Sequence, residues 1–151
     1  MAFSSYVEDS MAISSNVIVE SHSVVVAEDH GDQLPGNEMA YMWHHPALKG
    51  VELFRGVYRN YQAARHFHLG PAIGIVAKGA MSSYARGATH TLPTGTVFLI
   101  NPEEVHAPRP VIPKGWVLRA FYFSSDFYTR LSRSLGLGDV RFSELFVKTS
   151  Y

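Results

Sequence analysis

Short runs of strand-forming residues, broken at close intervals by Gly, Pro or Asn, fill residues 40–123 of the chain. Closely spaced short strands with turn residues between them are typical of an all-β sandwich or barrel. The sequence therefore predicts an all-β fold. We predict strands at residues 51–59, 72–78, 81–86, 97–101 and 116–123, and shorter strands at 66–68 and around His90 and His106.

A short helix is predicted directly after the last of these strands. Residues 124–126, Ser-Ser-Asp, offer side chains that cap a helix N-terminus. Phe127, Leu131 and Leu135 then recur at four-residue spacing, as on one face of a helix. Gly136 ends the pattern. We expect this helix to close one end of the barrel.

Length and charge restrict the classes of protein to which the chain can belong. A chain of 151 residues is long enough for one domain with its own core. Its 13 basic and 13 acidic residues cancel, and no basic run is present, so we do not expect this part to bind nucleic acid by itself. The sequence has no cysteine, which excludes a disulfide framework and a thiolate metal site.

No feature of the sequence predicts export or a membrane span. Glu8 and Asp9 lie where a signal peptide would carry a basic segment followed by an apolar one. No run approaches the 18 apolar residues that a membrane span needs. We therefore expect a cytoplasmic protein without a membrane partner.

Composition divides the chain into three predicted parts. Residues 1–39 form an N-terminal arm, whose β-branched patches at 17–19 and 24–26 either add one or two strands or belong to a partly ordered leader. Residues 40–136 form the barrel with its helix. Residues 137–151 form a tail for which the sequence shows no clear partner.

Three histidines have the spacing of the two cupin motifs. His66 and His68 form a His-x-His pair, and Gly79 follows where the first motif places a glycine. Gly95 begins the second motif, and His106 ends it after ten intervening residues. The chain thus resembles the cupins. The resemblance implies a cupin-type double-stranded β-helix, a jelly-roll barrel, with the short helix at its C-terminal end.

The sequence around these motifs resembles that of one branch of the cupins. Residues 64–68 (ARHFH), 92–106 (LPTGTVFLINPEEVH), 115–116 (GW) and 121–128 (FYFSSDFY) are similar to the sensor domains of AraC-type transcription regulators. The resemblance covers roughly residues 45–135. It implies a domain that binds a small-molecule effector and forms a homodimer. It also implies that DNA is bound only through a missing C-terminal domain with helix-turn-helix units; a stand-alone cupin stays open.

The histidines themselves suggest more than one role. Residues i and i+2 of a strand point to the same face, so His66 and His68 are directed together, and His106 can join them from a nearby strand. Three imidazoles suit Zn, Fe, Ni or Cu, and a vacant fourth position is the arrangement of catalytic sites. Ala72, however, stands where the cupin motif has an acidic ligand. Contact with an organic effector, which requires no cofactor, and a structural role are the alternatives.

Aromatic residues supply further candidates for ligand contact. Alternation along 116–123 places Trp116 and Tyr122 on one face, which we expect to line the cavity because Arg119 lies on the other. Tyr84 is a candidate on the strand after Gly79. An inward arginine, Arg65 or Arg86, would favour an anionic effector. A place in the core, or for the arginines on the surface, is the alternative for each of them.

Two other functions stay open on the sequence. One is a metal-dependent cupin enzyme, a dioxygenase or isomerase that uses His66, His68 and His106. The other is a dimerisation module whose pocket is filled by large side chains such as Phe98, Phe121 and Phe123.

Overall fold

The computed structural model describes residues 19–20 and 38–148. Most of the predicted arm, including the patch at 24–26, lies outside the described residues. No helix in the described part is long and apolar enough to cross a membrane. Nine strands and one helix are described: β1 (Val19–Glu20), β2 (Met39–His44), β3 (Val51–Tyr58), β4 (Ala72–Ala85), β5 (Ala88–Pro93), β6 (Thr96–Ile100), β7 (His106–Pro110), β8 (Trp116–Phe123), α1 (Ser125–Ser134) and β9 (Phe146–Lys148).

The strands form two sheets that share β4. One sheet has the order β1-β2-β3-β8-β4-β6-β9, and in the other β4 lies between β5 and β7. All pairs are antiparallel except β1 with β2. The all-β prediction is confirmed.

Strand β4 joins the two sheets and was predicted as two separate strands. It runs for 14 residues, and its register against β8 shifts between Val76 and Lys78. Gly79 has a φ of +75°, and a Cβ there would overlap the carbonyl oxygen of Gly115. Only glycine adopts this conformation without strain in so close an approach. The glycine therefore bends the strand between the sheets instead of ending it.

The last predicted strand is reproduced as β8, which lies between β3 and β4 in the middle of the larger sheet. Trp116, Leu118 and Ala120 are buried on one face while Arg119 is exposed on the other. On the Arg119 face Val117 is also buried, whereas Phe121 is 44% exposed. The core of the barrel therefore lies on the Trp116 face.

Helix α1 begins and ends as predicted. The Ser124 side chain accepts a hydrogen bond from the Phe127 backbone N–H, and Gly136 follows the helix with a φ of +68°. The expected apolar seam is not buried, since Leu131 is 40% and Leu135 63% exposed. Four-residue spacing predicted the helix, but not which face would be covered.

Two strands were not predicted. β2 pairs with β3, and β9 pairs with β6 although it lies in the predicted tail. The Asn101 side chain donates to the Phe142 carbonyl oxygen at 3.0 Å and accepts from the Phe142 backbone N–H at 2.7 Å. Residues 141–148 are therefore attached to the barrel beside its second histidine motif.

Candidate functional site

The backbone brings His66 next to His106. His66 precedes β4 in an extended segment and forms an isolated antiparallel bridge with His106 at the start of β7. The His66 N–H donates to the His106 carbonyl at 3.0 Å, and the His106 N–H donates to the His66 carbonyl at 2.9 Å. Residues bridged in this way carry their side chains on the same side of the sheet. The His-x-His spacing then turns His68 to that side as well.

The three imidazoles form one cluster. Their ring centroids lie 4.3 Å apart for His66 and His106, 5.1 Å for His66 and His68, and 5.0 Å for His68 and His106. One ring nitrogen from each lies within 4.8 Å of the other two. The structure thus places the three predicted histidines together on the inside of the barrel.

Hydrogen bonds fix the tautomer of two of these rings. The distance from Nδ1 of His66 to the Ala64 carbonyl oxygen is 2.8 Å, and from Nδ1 of His106 to the Glu104 carbonyl oxygen 2.9 Å. Because a carbonyl oxygen only accepts, Nδ1 carries a proton in both rings, and in the neutral form of each ring the lone pair is on Nε2. Nε2 of His68 is buried without a hydrogen-bond partner. The cluster therefore presents imidazole nitrogens that are free to contact a ligand.

Burial keeps two of the rings uncharged. Desolvation, and then the neighbouring His106 and His66, lower the pKa of His68 to about 3. Desolvation and His66 lower the pKa of His106 to about 4, although the backbone and charge of Glu104 act in the opposite direction. Both imidazoles are therefore neutral at pH 7, the form in which histidine accepts a hydrogen bond or binds a metal.

An internal cavity of about 60 Å³ adjoins the cluster. His66 and His106 line one side, and Ser83 adds a hydroxyl. No Asp, Glu, Lys or Arg belongs to the described residues that line it. The aromatic residues of its wall are Phe54, Tyr58, Tyr61, Phe98, Trp116, Tyr122 and Phe146.

Trp116 and Tyr122 both line this cavity, on the face that alternation predicted. Trp116 is fully buried, and its Nε1 has no hydrogen-bond partner. The Tyr122 ring lies 5.0 Å from that of His68, in an edge-to-face arrangement. Burial raises the pKa of Tyr122 and of Tyr58 well above the ordinary value, so both phenols keep their protons. The wall thus offers neutral O–H and N–H donors opposite the imidazoles.

Tyr84 is not part of this cavity. Met81, Ser83 and Ala85 are the buried residues of this part of β4, and alternation turns Tyr84 to the opposite face. There its ring lies 4.1 Å from the guanidinium carbon of Arg65. The candidate Tyr84 therefore lies on the other face from the histidines, a placement that the strand sequence does not reveal, because it gives no sign of which of two alternating sets faces inward.

No predicted arginine reaches the cavity either. Arg65 lies over Tyr84 on the outside, and Arg86 sits in the turn after β4 with a φ of +48°. Arg86 forms an ion pair with Glu104 and donates to the carbonyl oxygens of Ser143 and Phe142. An inward arginine for an anionic effector is therefore not found.

Glu104 links the histidine cluster to the C-terminal segment. Its carbonyl accepts from His106, while its carboxylate accepts from Arg86 and from the backbone and side-chain nitrogens of Asn101. Burial raises the pKa of Glu104, but the hydrogen bonds from Arg86 and Asn101 outweigh it, so the pKa is lowered. Arg86 and Asn101 both also bind Phe142. One hydrogen-bonded network thus runs from His106 to the segment that carries β9.

Several wall residues were missed by the sequence analysis. Tyr58 and Phe54 share a face of β3, so alternation along that strand could have found them. Tyr61 stacks on Tyr58 with ring centroids 4.8 Å apart. No sequence pattern pointed to Phe146, because nothing in residues 137–151 indicates that the chain returns to the cavity.

The family and the fold follow from comparison with known proteins. The AraC-like ligand binding domain family matches residues 48–144. The chain belongs to this family. The match includes all three histidines of the cluster, Trp116 and Tyr122. No curated protein matches the chain in sequence.

Solved structures similar to this AraC-like domain include proteins described as cupins. A cupin 2 conserved barrel domain protein from Salinispora arenicola is 16% identical, with a TM-score of 0.56 over 76% of this chain and 99% of that one. A cupin superfamily protein from Desulfitobacterium hafniense is 8% identical, with a TM-score of 0.52 over 60% and 80% of the two chains. A conserved protein of unknown function from Streptococcus pyogenes is 12% identical, with a TM-score of 0.50 over 72% and 80%. The predicted cupin-type barrel is confirmed.

The cluster has the donor set of a transition-metal site. In their neutral forms His66 and His106 offer an Nε2 lone pair, and the buried Nε2 of His68 lacks a partner. The position of the missing acidic ligand is filled by Ala72, which is buried. The residues present therefore fit a three-nitrogen site for a divalent transition metal with an open position.

Proposed function

We propose that the domain senses a small, uncharged effector bound inside the barrel, in contact with His66, His68, His106, Trp116 and Tyr122. The observation that carries this proposal is the buried Nε1 of Trp116, which lacks a protein partner in the cavity wall, together with the buried Nε2 of His68, which lacks one beside His66 and Tyr122 of that wall. Buried polar groups are rarely left without a hydrogen bond. A bound molecule with hydroxyl or carbonyl groups would satisfy both. Membership of a ligand-binding family supports the same function.

The lining indicates the chemical class of the effector. The neutral imidazole of His106, phenols and an indole N–H line the cavity, and none of its described lining residues is an Asp, Glu, Lys or Arg. Burial of an unpaired ion in such a place is costly. A neutral molecule with a flat or polyhydroxylated body fits these donors and aromatic faces.

The size of the cavity connects binding with the C-terminal segment. A volume of about 60 Å³ holds only a few water molecules. Phe146, a half-buried residue of β9, forms part of the wall. An effector larger than the cavity must displace a wall residue. Among the strands that carry wall residues, β9 is the shortest and the least buried, so its Phe146 is the residue that we expect to move. Effector binding would then alter the segment that leads out of the barrel, and a ligand shifts an equilibrium only when it favours one of two states.

Tryptophan fluorescence tests effector binding directly. The chain has two tryptophans, so a Trp43→Phe variant leaves Trp116 as the only one and as a reporter in the wall. Phenol and xylose serve as neutral aromatic and polyhydroxylated probes. We expect a saturable change with at least one of them, weakened fivefold or more by His106→Gln or Tyr122→Phe. Tyr41→Phe, at an exposed position of β2, is the matched control and should leave it unchanged. An affinity that neither His106→Gln nor Tyr122→Phe changes would refute an interior site.

We further propose that the domain acts in the cytoplasm as the sensor of a homodimeric AraC-type regulator, with DNA bound by helix-turn-helix units in a C-terminal domain. The family match and the network from His106 to residues 142–143 support this arrangement. Sedimentation velocity gives the oligomeric state, and a monomer at micromolar concentration would contradict the dimer.

A metal-dependent cupin enzyme, such as a dioxygenase or isomerase, is the second candidate. It is favoured by the three imidazole nitrogens within 4.8 Å of one another. His66, His68 and His106 would hold Zn, Fe or Ni, and such an ion would supply Lewis acidity at its open position. Tyr122 and Trp116 would position the substrate through their O–H and N–H groups.

Metal analysis of the purified protein separates the two candidates. Stoichiometric metal that is lost in a His66→Ala, His68→Ala double variant would favour the enzyme. Saturable effector binding by metal-free protein would favour the sensor.

A further inference from the structure

A second concave site lies on the outside of the barrel, on the opposite face of β4 from the histidine cluster. It is a groove of about 390 Å³, which falls in the range of small-molecule sites. Most of its lining residues carry polar side chains. The groove residues are Gln62, Arg65, Ser82, Tyr84, Thr89, Arg109 and Pro110.

Strand register brings the groove residues together. Arg109 on β7 lies directly across from Ser82 on β4, and Thr89 on β5 lies across from Tyr84. Directly opposed residues have Cβ atoms about 5 Å apart. Tyr84 follows Ser82 by two positions and shares its face. The groove therefore spans three neighbouring strands of the smaller sheet.

Arg65 is held over the groove by its surroundings. The segment before β4 is bonded to β7 through Ala63 to Pro108 and through His66 to His106. The guanidinium carbon of Arg65 lies 4.1 Å from the centre of the Tyr84 ring. Ala107, the residue across from Tyr84, is small enough to leave room for this stacking. The cation is thus positioned in advance of any ligand.

Two guanidinium groups of the groove lack a negative partner. Neither Arg65 nor Arg109 forms an ion pair with a described residue, and no described carboxylate lines the groove. Arg86, on the same part of the barrel, is neutralised by Glu104. The hydroxyls of Ser82, Thr89 and Tyr84 and the amide of Gln62 add further donors. The groove is therefore positively charged and rich in donors.

We propose that this groove binds a small organic oxyanion, a carboxylate or a phosphate ester, between the guanidinium groups of Arg109 and Arg65. Planar guanidinium groups bind carboxylate and phosphate oxygens in a bidentate manner. The groove has volume beyond that of the oxyanion, which leaves room for the organic part beside the Tyr84 ring and Pro110. The site does not depend on the interior effector, which contacts neutral groups on the other face of β4.

Isothermal titration at low ionic strength tests the site with two defined probes. Inorganic phosphate represents the phosphate class, and benzoate represents an aromatic carboxylate. We expect saturable binding of at least one probe in the millimolar range or tighter. Arg109→Gln should weaken it by about tenfold or more, since hydrogen bonds to charged groups are among the stronger ones. Binding should also weaken as salt is added.

Matched variants distinguish the groove from general attraction to positive charge. Arg119→Gln removes an exposed arginine from β8 and should change affinity by less than twofold. Tyr84→Leu should weaken benzoate more than phosphate, because it removes both the ring and the support for Arg65. Equal effects of Arg109→Gln and Arg119→Gln would overturn the proposal, and so would the absence of saturable binding by folded protein. His106→Gln should leave binding unchanged, so this test is independent of the interior site.

Discussion

Acidification from pH 7 to pH 5 is expected to destabilise the metal-free domain through two histidines of the cluster. Burial, followed by neighbouring charge, lowers the pKa of His68 to about 3 and of His106 to about 4 in the folded protein. In the unfolded chain both return to the ordinary value of 6.5. Between pH 6.5 and about 4 these two imidazoles are therefore protonated in the unfolded chain but not in the folded domain. The free energy of unfolding therefore falls as the pH is lowered through this window.

The size of the effect follows from the same pKa values. A pH of 5 is about 1.5 units below the pKa of each imidazole in the unfolded chain, and one unit corresponds to about 1.4 kcal/mol. Each histidine therefore lowers the free energy of unfolding by about 2 kcal/mol, and the two together lower it by about 4 kcal/mol. The carboxyls of Glu38 and Glu104 act at lower pH, because their folded pKa values lie below the ordinary 4.5. In a domain of this size the melting temperature would fall by roughly 8–16 °C.

Urea denaturation at pH 7 and pH 5, followed by circular dichroism after treatment with a chelator, measures this difference. A His68→Gln, His106→Gln double variant should lose most of the pH dependence. A His45→Gln variant, which removes an exposed imidazole outside the cluster, should keep it. Equal stability of the parent protein at the two pH values would refute the reasoning. So would a loss of stability that persists unchanged in the double variant.

Three substitutions test the barrel itself, each by urea denaturation at pH 7. Ser124→Ala removes the side chain that caps α1 at Phe127 and should cost about 1 kcal/mol; no loss would show that the cap is dispensable. Gly74→Ala places a Cβ in the Phe98 ring and 2.7 Å from a backbone carbonyl oxygen, so a loss of roughly 3 kcal/mol or more is expected, and a neutral change would contradict the packing. Phe146→Ala removes a half-buried ring from the cavity wall and should cost about 1–3 kcal/mol while it accelerates binding of an interior ligand; unchanged stability would place that ring outside the wall.

The fold and the histidine cluster could be predicted because their signals are local. A His-x-His pair in an extended segment turns both rings to one side whatever surrounds it. The interval from Gly95 to His106 contains one strand and one turn, which return the chain to the other histidines. Arg119 likewise indicated the outer face of β8, and because Trp116 lies on the opposite face by alternation, it was predicted to face inward.

The remaining parts of the site depend on contacts that the sequence does not specify. Tyr84 and Ser83 alternate on one strand, and the tyrosine is the more apolar residue, yet the serine faces inward because of the bend at Gly79. Phe146 lies 40 residues beyond His106 in a strand of three residues. Its place in the wall is decided by the pairing of β9 with β6, a long-range contact with no local pattern.

The claim that a cluster of three imidazoles presents free nitrogens beside one cavity is tested most directly by histidine-selective ¹⁵N NMR of metal-free protein. At pH 7 the ring of His106 should appear as the neutral form with the proton on Nδ1, and His68 and His106 should stay neutral at pH 5. Tautomers that average freely, or rings of His68 and His106 that titrate at the ordinary pKa near 6.5, would contradict it.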